Sequence, residues 1–220
     1  MEARLLDIRT GQPRPLGRDM SAYAKDSRSG PVQVDPLGLE GDAVADTRVH
    51  GGPDKAVYCY AAANYLLWRA EHPEHAASLV PGAFGENLLL DGIDEESVCI
   101  GDRWRAGSAL IEPCQPRQPC HKLASWFGDA RMVKAMTRNG RSGWYARVIE
   151  PGTIEAGGIL RLEHRPDGAW SIARVLATSY RKPASAEELR ALAIAPGLAG
   201  SWADWARRQA EVARTAPAKV

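Results

Sequence analysis

"SVCIGDRWRAGSALIEPC" (residues 97–114) decides the fold, because it holds two short runs of aliphatic, β-branched and aromatic residues separated by the turn formers Gly107 and Ser108. The same texture recurs on either side of it. "RLLDIRT" (4–10), "GPVQVDPLGLEGD" (30–42), "KAVYCYA" (55–61) and "ENLLLDG" (86–92) are further extended segments among glycines and prolines. "GILRLEHRPDGAW" (158–170) reads as a last strand entering a turn at Pro166-Asp167-Gly168. Helices interrupt the pattern twice. "AAANYLLWRAEHP" (61–73) groups Tyr65, Leu66, Leu67 and Trp68 ahead of Pro73, and "LASWFGDARMVKAMTRN" (123–139) predicts one helix ended by Gly140. The expected class is mainly β with α: a closed or nearly closed β-barrel over residues 1–165, with helices over its ends.

After residue 166 the texture changes. "SIARVLATSYRK" (171–182), the capping-box pattern Ser185-Ala186-Glu187-Glu188 ahead of Leu189 and Leu192, and "SWADWARRQAEVAR" (201–214) predict three short helices over 166–214, with 215–220 as a tail. So short a segment is marginal on its own, so it is expected to pack on the barrel or on another subunit. Trp202 and Trp205, taken as exposed, are compatible with a homodimer without fixing the oligomeric state.

Composition narrows the function. A net charge of +1, with 45% apolar and 25% charged residues, is that of an ordinary globular protein and gives no firm nucleic-acid signal. No run of about 18 apolar residues occurs, so neither a membrane partner nor a signal peptide is expected, and the expected location is cytoplasmic. Four irregularly spaced cysteines without a CxxC pair fit neither a disulfide scaffold nor a zinc knuckle or clustered iron–sulfur site. Neither GxGxxG nor GxxxxGK[ST] is present.

Chemistry concentrates in "QPRQPC" (115–120). Pro116 and Pro119 stiffen the segment, while Arg117, His121 and Lys122 flank Cys120 with potential cations. Cations beside a cysteine favour the thiolate, the form that binds metal or attacks an electrophile; the alternative is a buried, inert cysteine. Cys59 and Cys99 read as core, whereas Cys114 could form a reversible disulfide with Cys120 only if the chain folds back between them. A second cluster is "RVHGGPDKAVY" (48–58). There Gly51, Gly52 and Pro53 form a tight turn offering backbone N–H groups among Arg48, His50 and Lys55, a cradle for an anion or simply a surface turn. In "PGAFGENL" (81–88), Glu86 and Asn87 lead from a turn into a strand, and in "GRSGWYARV" (140–148) Trp144 and Tyr145 read as core.

Taken together, "GLEGD" (38–42), "RVHGGPDKAVY" (48–58), "FGENL" (84–88), "IGDRWR" (100–105), "QPRQPC" (115–120) and "SGWYARV" (142–148) resemble the MOSC-domain proteins in order and wording, specifically the YiiM-like branch. The resemblance spans roughly residues 3–165, and the helical tail is similar to the three-helix extension of that branch. It implies a β-barrel carrying the molybdenum cofactor (molybdopterin), with Cys120 giving its thiolate to molybdenum. Pyridoxal phosphate binding also accompanies descriptions of the fold family. His121 and Cys114 depart from the aromatic and the serine usual at those places.

The implied activity is reduction of N-hydroxylated compounds, including N-hydroxylated purine bases such as 6-hydroxylaminopurine: two electrons and two protons convert N–OH to the amine and water. Cys120 would bind the metal, and Arg48, His50, Lys55 and Arg117, with Gly51 and Gly52, would hold the pterin phosphate or the substrate. Asn87 would orient substrate as a catalytic residue. Without a flavin, haem or iron–sulfur motif, the electrons are expected from a separate reductase partner. Two alternatives use the same residues differently. Cys120 could carry a persulfide in sulfur transfer, or the chain could be a non-catalytic module whose basic helices bind a partner.

Overall fold

The alternation of the first strand shows how the barrel begins. The computed structural model describes residues 1–46, 51–180 and 184–215. In β1 (Glu2–Thr10), Ala3, Leu5 and Ile8 are buried while Arg4 and Leu6 face out; a register shift between Leu5 and Asp7 resets the phase so that Ile8 again points inward. The other barrel strands are β2 (Val57–Ala61), β3 (Leu88–Asp91), β4 (Arg103–Ala106), β5 (Ala109–Pro116), β6 (Trp144–Glu150) and β7 (Ile159–His164). Their order is β7-β4-β5-β6-β2-β3-β1, and β1 pairs with β7 to close a seven-stranded barrel. Every pair is antiparallel except β2 with β3. Closure leaves no unpaired barrel edge. Beside the barrel, Val32–Asp35 pairs with Gly38–Leu39 and with Gly152–Ile154.

Strands buried on both faces separate two cores. In β2, Val57 and Cys59 point into the barrel, whereas Tyr58 and Tyr60 point outward into a second cluster containing Trp68, Phe84, Leu123 and Met136. That cluster lies under α1 (Ala63–Glu71), α2 (His121–Phe127) and α3 (Arg131–Asn139). Where the sequence predicts one helix over 123–139, the structure has two. Gly128 adopts φ 64°, and its N–H caps α2 by donating to the Ala124 carbonyl. This left-handed stop costs glycine nothing and turns the chain before α3 begins.

The C-terminal segment forms α4 (Ile172–Tyr180), α5 (Ala186–Ala193) and α6 (Gly200–Thr215), completing six α-helices among the described residues. Ser185 Oγ accepts the Glu188 N–H at 3.0 Å, as the capping pattern predicts. These helices share one hydrophobic core with the barrel: Ile172, Val175, Leu192, Trp202 and Ala206 join the cluster containing Leu5 and Trp104. Trp202 is therefore not the exposed tryptophan that the sequence reading assumed, since only 4% of it is accessible, and Trp205 is half-buried beside it. Docking is close. A Cβ added to Gly197 would stand 2.4 Å from the Gly101 Cα. No helix among the described residues is long and apolar enough to cross a membrane.

Candidate functional site

Where β5 runs out of the barrel, the collar forms one wall of a half-open cleft of about 300 Å³. Pro116 is paired with Trp144, the Arg117 N–H donates to the Gly143 carbonyl at 3.1 Å, and the chain then leaves the sheet. Pro119 precedes Cys120, which is extended (φ −130°, ψ 174°) and directly precedes α2. Cys120 is half-buried and lines the cleft, and its side chain makes no capping hydrogen bond. The collar thus sets Cys120 on the wall of the cleft.

Arg117 sits behind it, only 4% exposed. Its guanidinium donates from Nη1 to Met136 Sδ at 2.9 Å and lies over the Tyr58 ring, 5.7 Å from the centroid. Tyr23 and Tyr145 complete its surroundings. Burial raises the pKa of all three phenols although Arg117 opposes it, so they are neutral at ordinary pH while the arginine is charged. No carboxylate among the described residues forms an ion pair with this guanidinium. A buried cation without a counter-charge is costly, and an anionic ligand entering the cleft would supply one.

The opposite wall is a polar bracket. Lys25 forms an ion pair with Asp42, whose carboxylate also accepts the Gly11 N–H at 2.7 Å and Asn87 Nδ2 at 2.8 Å. Burial pulls the Lys25 pKa down and Asp42 pulls it back up, the net shift being downward. Asn87 lines the cleft, but it donates as well to the Arg9 carbonyl at 3.1 Å and accepts the Tyr58 N–H at 3.0 Å. Its amide hydrogens are thus spent on β1 and Asp42 and its oxygen on β2. Glu86, fully buried, closes the neighbouring turn by accepting from Gly82 N–H and Tyr65 Oη–H, both at 2.6 Å, and Phe84 N–H at 3.2 Å.

Gly51 and Lys55 also line the cleft. Gly51 and Gly52 have φ 77° and 80°, and the Lys55 N–H donates to the Gly52 carbonyl across a 3₁₀ turn, Pro53–Lys55. Arg48 and His50, the other residues assigned to this cradle, lie outside the described residues. Of the cations flanking Cys120 in sequence, Arg117 and Lys122 reach the cleft. His121 does not: it is exposed and pairs with Asp19 at 2.6 Å, because it begins a helix whose first turn points it outward. Cys114 faces the other way from the cleft's thiol. It is buried, its Sγ donates to the Asp54 carbonyl at 3.2 Å, and burial pushes its pKa up to about 12. Among the described residues all four cysteines are free.

Sequence reasoning missed Lys25 and Tyr23, which come from a loop without motif texture, gave no role to Asp42 although it ends the "GLEGD" motif, and took Tyr145 for core. The signal for Tyr58 was present: in "VYCYA", alternation puts Tyr58 on the face opposite Cys59.

Comparison with known proteins gives two family matches in tandem: the MOSC domain over residues 46–161 and the YiiM-like, 3-alpha helix domain over residues 170–211. Protein YiiM of Escherichia coli is 40% identical over 199 residues, covering 90% of this chain and 88% of that protein. A Gibberella moniliformis protein named Reductase is 39% identical over 175 residues, which are 78% of this chain and 31% of that longer protein. The crystal structure of YiiM from Geobacillus stearothermophilus superposes with a TM-score of 0.81 at 32% identity, covering 94% of this chain and 99% of that one.

Proposed function

The chain belongs to the MOSC-domain family, in the branch carrying the YiiM-like three-helix domain, and from that premise we propose that it is a molybdenum-cofactor-dependent reductase of N-hydroxylated compounds. The observation that carries the proposal is Arg117, a buried guanidinium that pairs with no carboxylate among the described residues, in one cleft with the half-buried thiol of Cys120. Such a donor set fits a phosphate-bearing metallopterin: a sulfur ligand for a metal that changes oxidation state, and fixed positive charge with backbone donors for a phosphate. Cys120 would hold the metal, and Arg117, Lys55 and the Gly51–Gly52 turn would hold the pterin phosphate. When bound, the cofactor supplies oxygen-atom transfer coupled to two electrons.

The chain's own part is to bind, orient and dry the reactants. Tyr58, Tyr145 and Phe84 give the cleft apolar ring surface, and Lys25, held by Asp42, keeps an ammonium on the wall where a departing hydroxyl needs protons. The work of Asn87 is to fix that wall. Electrons come from a separate reductase, and the relative named Reductase supports a redox reading. We place the protein in the cytoplasm, where four unpaired cysteines persist.

The test is expression in hosts able and unable to make the cofactor, followed by metal analysis and an assay of N-hydroxylated base reduction. Activity and about one molybdenum per chain are expected only from the competent host. Equal activity from both hosts, or a sulfur adduct of about 32 Da on Cys120 in active metal-free protein, would overturn the proposal in favour of a cofactor-free enzyme or a persulfide carrier.

A further inference from the structure

Two buried hydrogen bonds run from the last helix to the cleft. Trp202 of α6 donates Nε1–H to Gln115 Oε1 at 3.1 Å, and Gln115 Nε2 donates to the Asp54 carbonyl at 2.8 Å. Gln115 is 3% exposed and lines the cleft, one residue before Pro116. Asp54 is the middle residue of the 3₁₀ turn that follows Gly51 and Gly52 and carries Lys55.

The chemistry of the three groups admits one arrangement. An indole N–H only donates and a backbone carbonyl only accepts, so the amide between them must turn its oxygen to Trp202 and its nitrogen to Asp54. Glutamate there would set a carboxylate oxygen against the Asp54 carbonyl, and an aliphatic side chain would leave the Trp202 N–H unsatisfied and the Asp54 carbonyl with the weak Cys114 thiol as donor. The residue preceding α6 adds a backbone tie, since the Ala199 N–H donates to the Cys114 carbonyl at 2.9 Å. β5 is therefore held by the extension on the residue before Gln115 as well as through its side chain.

We propose that Trp202 is a positioning residue: acting through Gln115, it fixes the turn 51–55 that faces the anion, so that the three-helix extension is a structural part of the site. This rests on the functional reading only in calling the turn anion-facing; the mechanical link stands without it.

Trp202→Phe keeps most of the ring and removes the N–H. Hydrogen–deuterium exchange followed by mass spectrometry on the metal-free full chain is expected to show about tenfold faster exchange in the peptide covering residues 51–56, the equivalent of about 1.4 kcal/mol. Peptides from β1 and β3 should be unchanged. Trp205→Phe, a change in the adjacent half-buried ring, should leave the 51–56 peptide as in the unaltered protein. Gln115→Glu, which keeps the acceptor for Trp202, should speed exchange there as Trp202→Phe does and provides the test if that variant folds poorly. Unchanged exchange in 51–56 in both variants, or a uniform rise across all barrel peptides, would overturn the proposal. Molybdenum content measured on the same variants reports on the cofactor: a local exchange change with no loss of metal would sink the anion-facing role of the turn and leave the link intact.

Discussion

Replacing Arg117 with methionine should move stability and binding in opposite directions. The guanidinium is 4% exposed, pairs with no carboxylate among the described residues, and leans on Tyr58 and the sulfur of Met136. Its desolvation costs several kcal/mol. Against that stand a cation–π contact of about 0.5–2 kcal/mol, a hydrogen bond to a weak sulfur acceptor and hydrogen bonds to the neutral Tyr23 and Tyr145 phenols. Methionine fills similar space with a flexible, polarisable chain. The metal-free Arg117→Met protein should thus gain up to about 1 kcal/mol, and at roughly 2–4 °C per kcal/mol for a chain of this size its Tm should rise by up to about 4 °C. Ligand binding goes the other way. Charge-assisted hydrogen bonds are worth about 1.5–3 kcal/mol each, so losing two lowers affinity for a phosphate-bearing ligand by about 10²- to 10⁴-fold. Thermal melts of metal-free protein, paired with metal analysis of protein from a cofactor-competent host, measure both. A metal-free Arg117→Met protein that melts below the unaltered one by several degrees would refute the reasoning, because Arg117 would then be a structural tie and not a charge awaiting a partner.

Two further outcomes follow from buried groups. Burial raises the Glu86 pKa, with Tyr65, Gly82 and Phe84 as opposing donors, so its contribution to stability is fully present below the unfolded carboxylate pKa of about 4.3 and is lost as pH rises through the raised folded value. Glu86→Gln sets an amide hydrogen against a backbone donor at a cost of about 1–3 kcal/mol, without that slope. In denaturant titrations from pH 4 to 8 the gap between the two proteins should therefore be largest at acid pH and shrink upward; a gap that widens with pH would contradict the burial argument. Gly197→Ala adds a Cβ 2.4 Å from the Gly101 Cα at φ 81°, so left-handed strain and overpacking should together cost about 2–5 kcal/mol. Gly168→Ala, at φ 65° in open space, should cost only about 1–2 kcal/mol. Similar losses in calorimetry of the two variants would mean that the extension does not dock as tightly as its backbone indicates.

What was legible in the sequence, and what was not, follows from how far apart in the chain the cooperating groups lie. The barrel could be read because each strand is a local pattern closed by glycine or proline, and closure needs only the pairing of β1 with β7. Cys120 and Arg117 could be found because one rigid collar carries both. Lys25 and Tyr23 were invisible, and Asp42 at the end of "GLEGD" had no assigned role, because they reach the cleft from segments whose placement depends on the finished barrel. The reading of His121 failed for a related reason: adjacency in sequence does not set side-chain direction once a helix starts between two residues. Asn87 shows the converse, a residue picked from a motif as a substrate-orienting group whose polar atoms are engaged in holding strands together. The residues left over after such accounting are the informative ones. Glu86, Asn87, Asp42 and Gln115 all find protein partners in or near the cleft, whereas among the described residues the Arg117 charge meets neutral phenols and a sulfur and pairs with no carboxylate, and Cys120 makes no capping bond. A fold that satisfies its buried polar groups nearly everywhere and leaves a charge uncompensated beside a thiol carries that cost where function requires it.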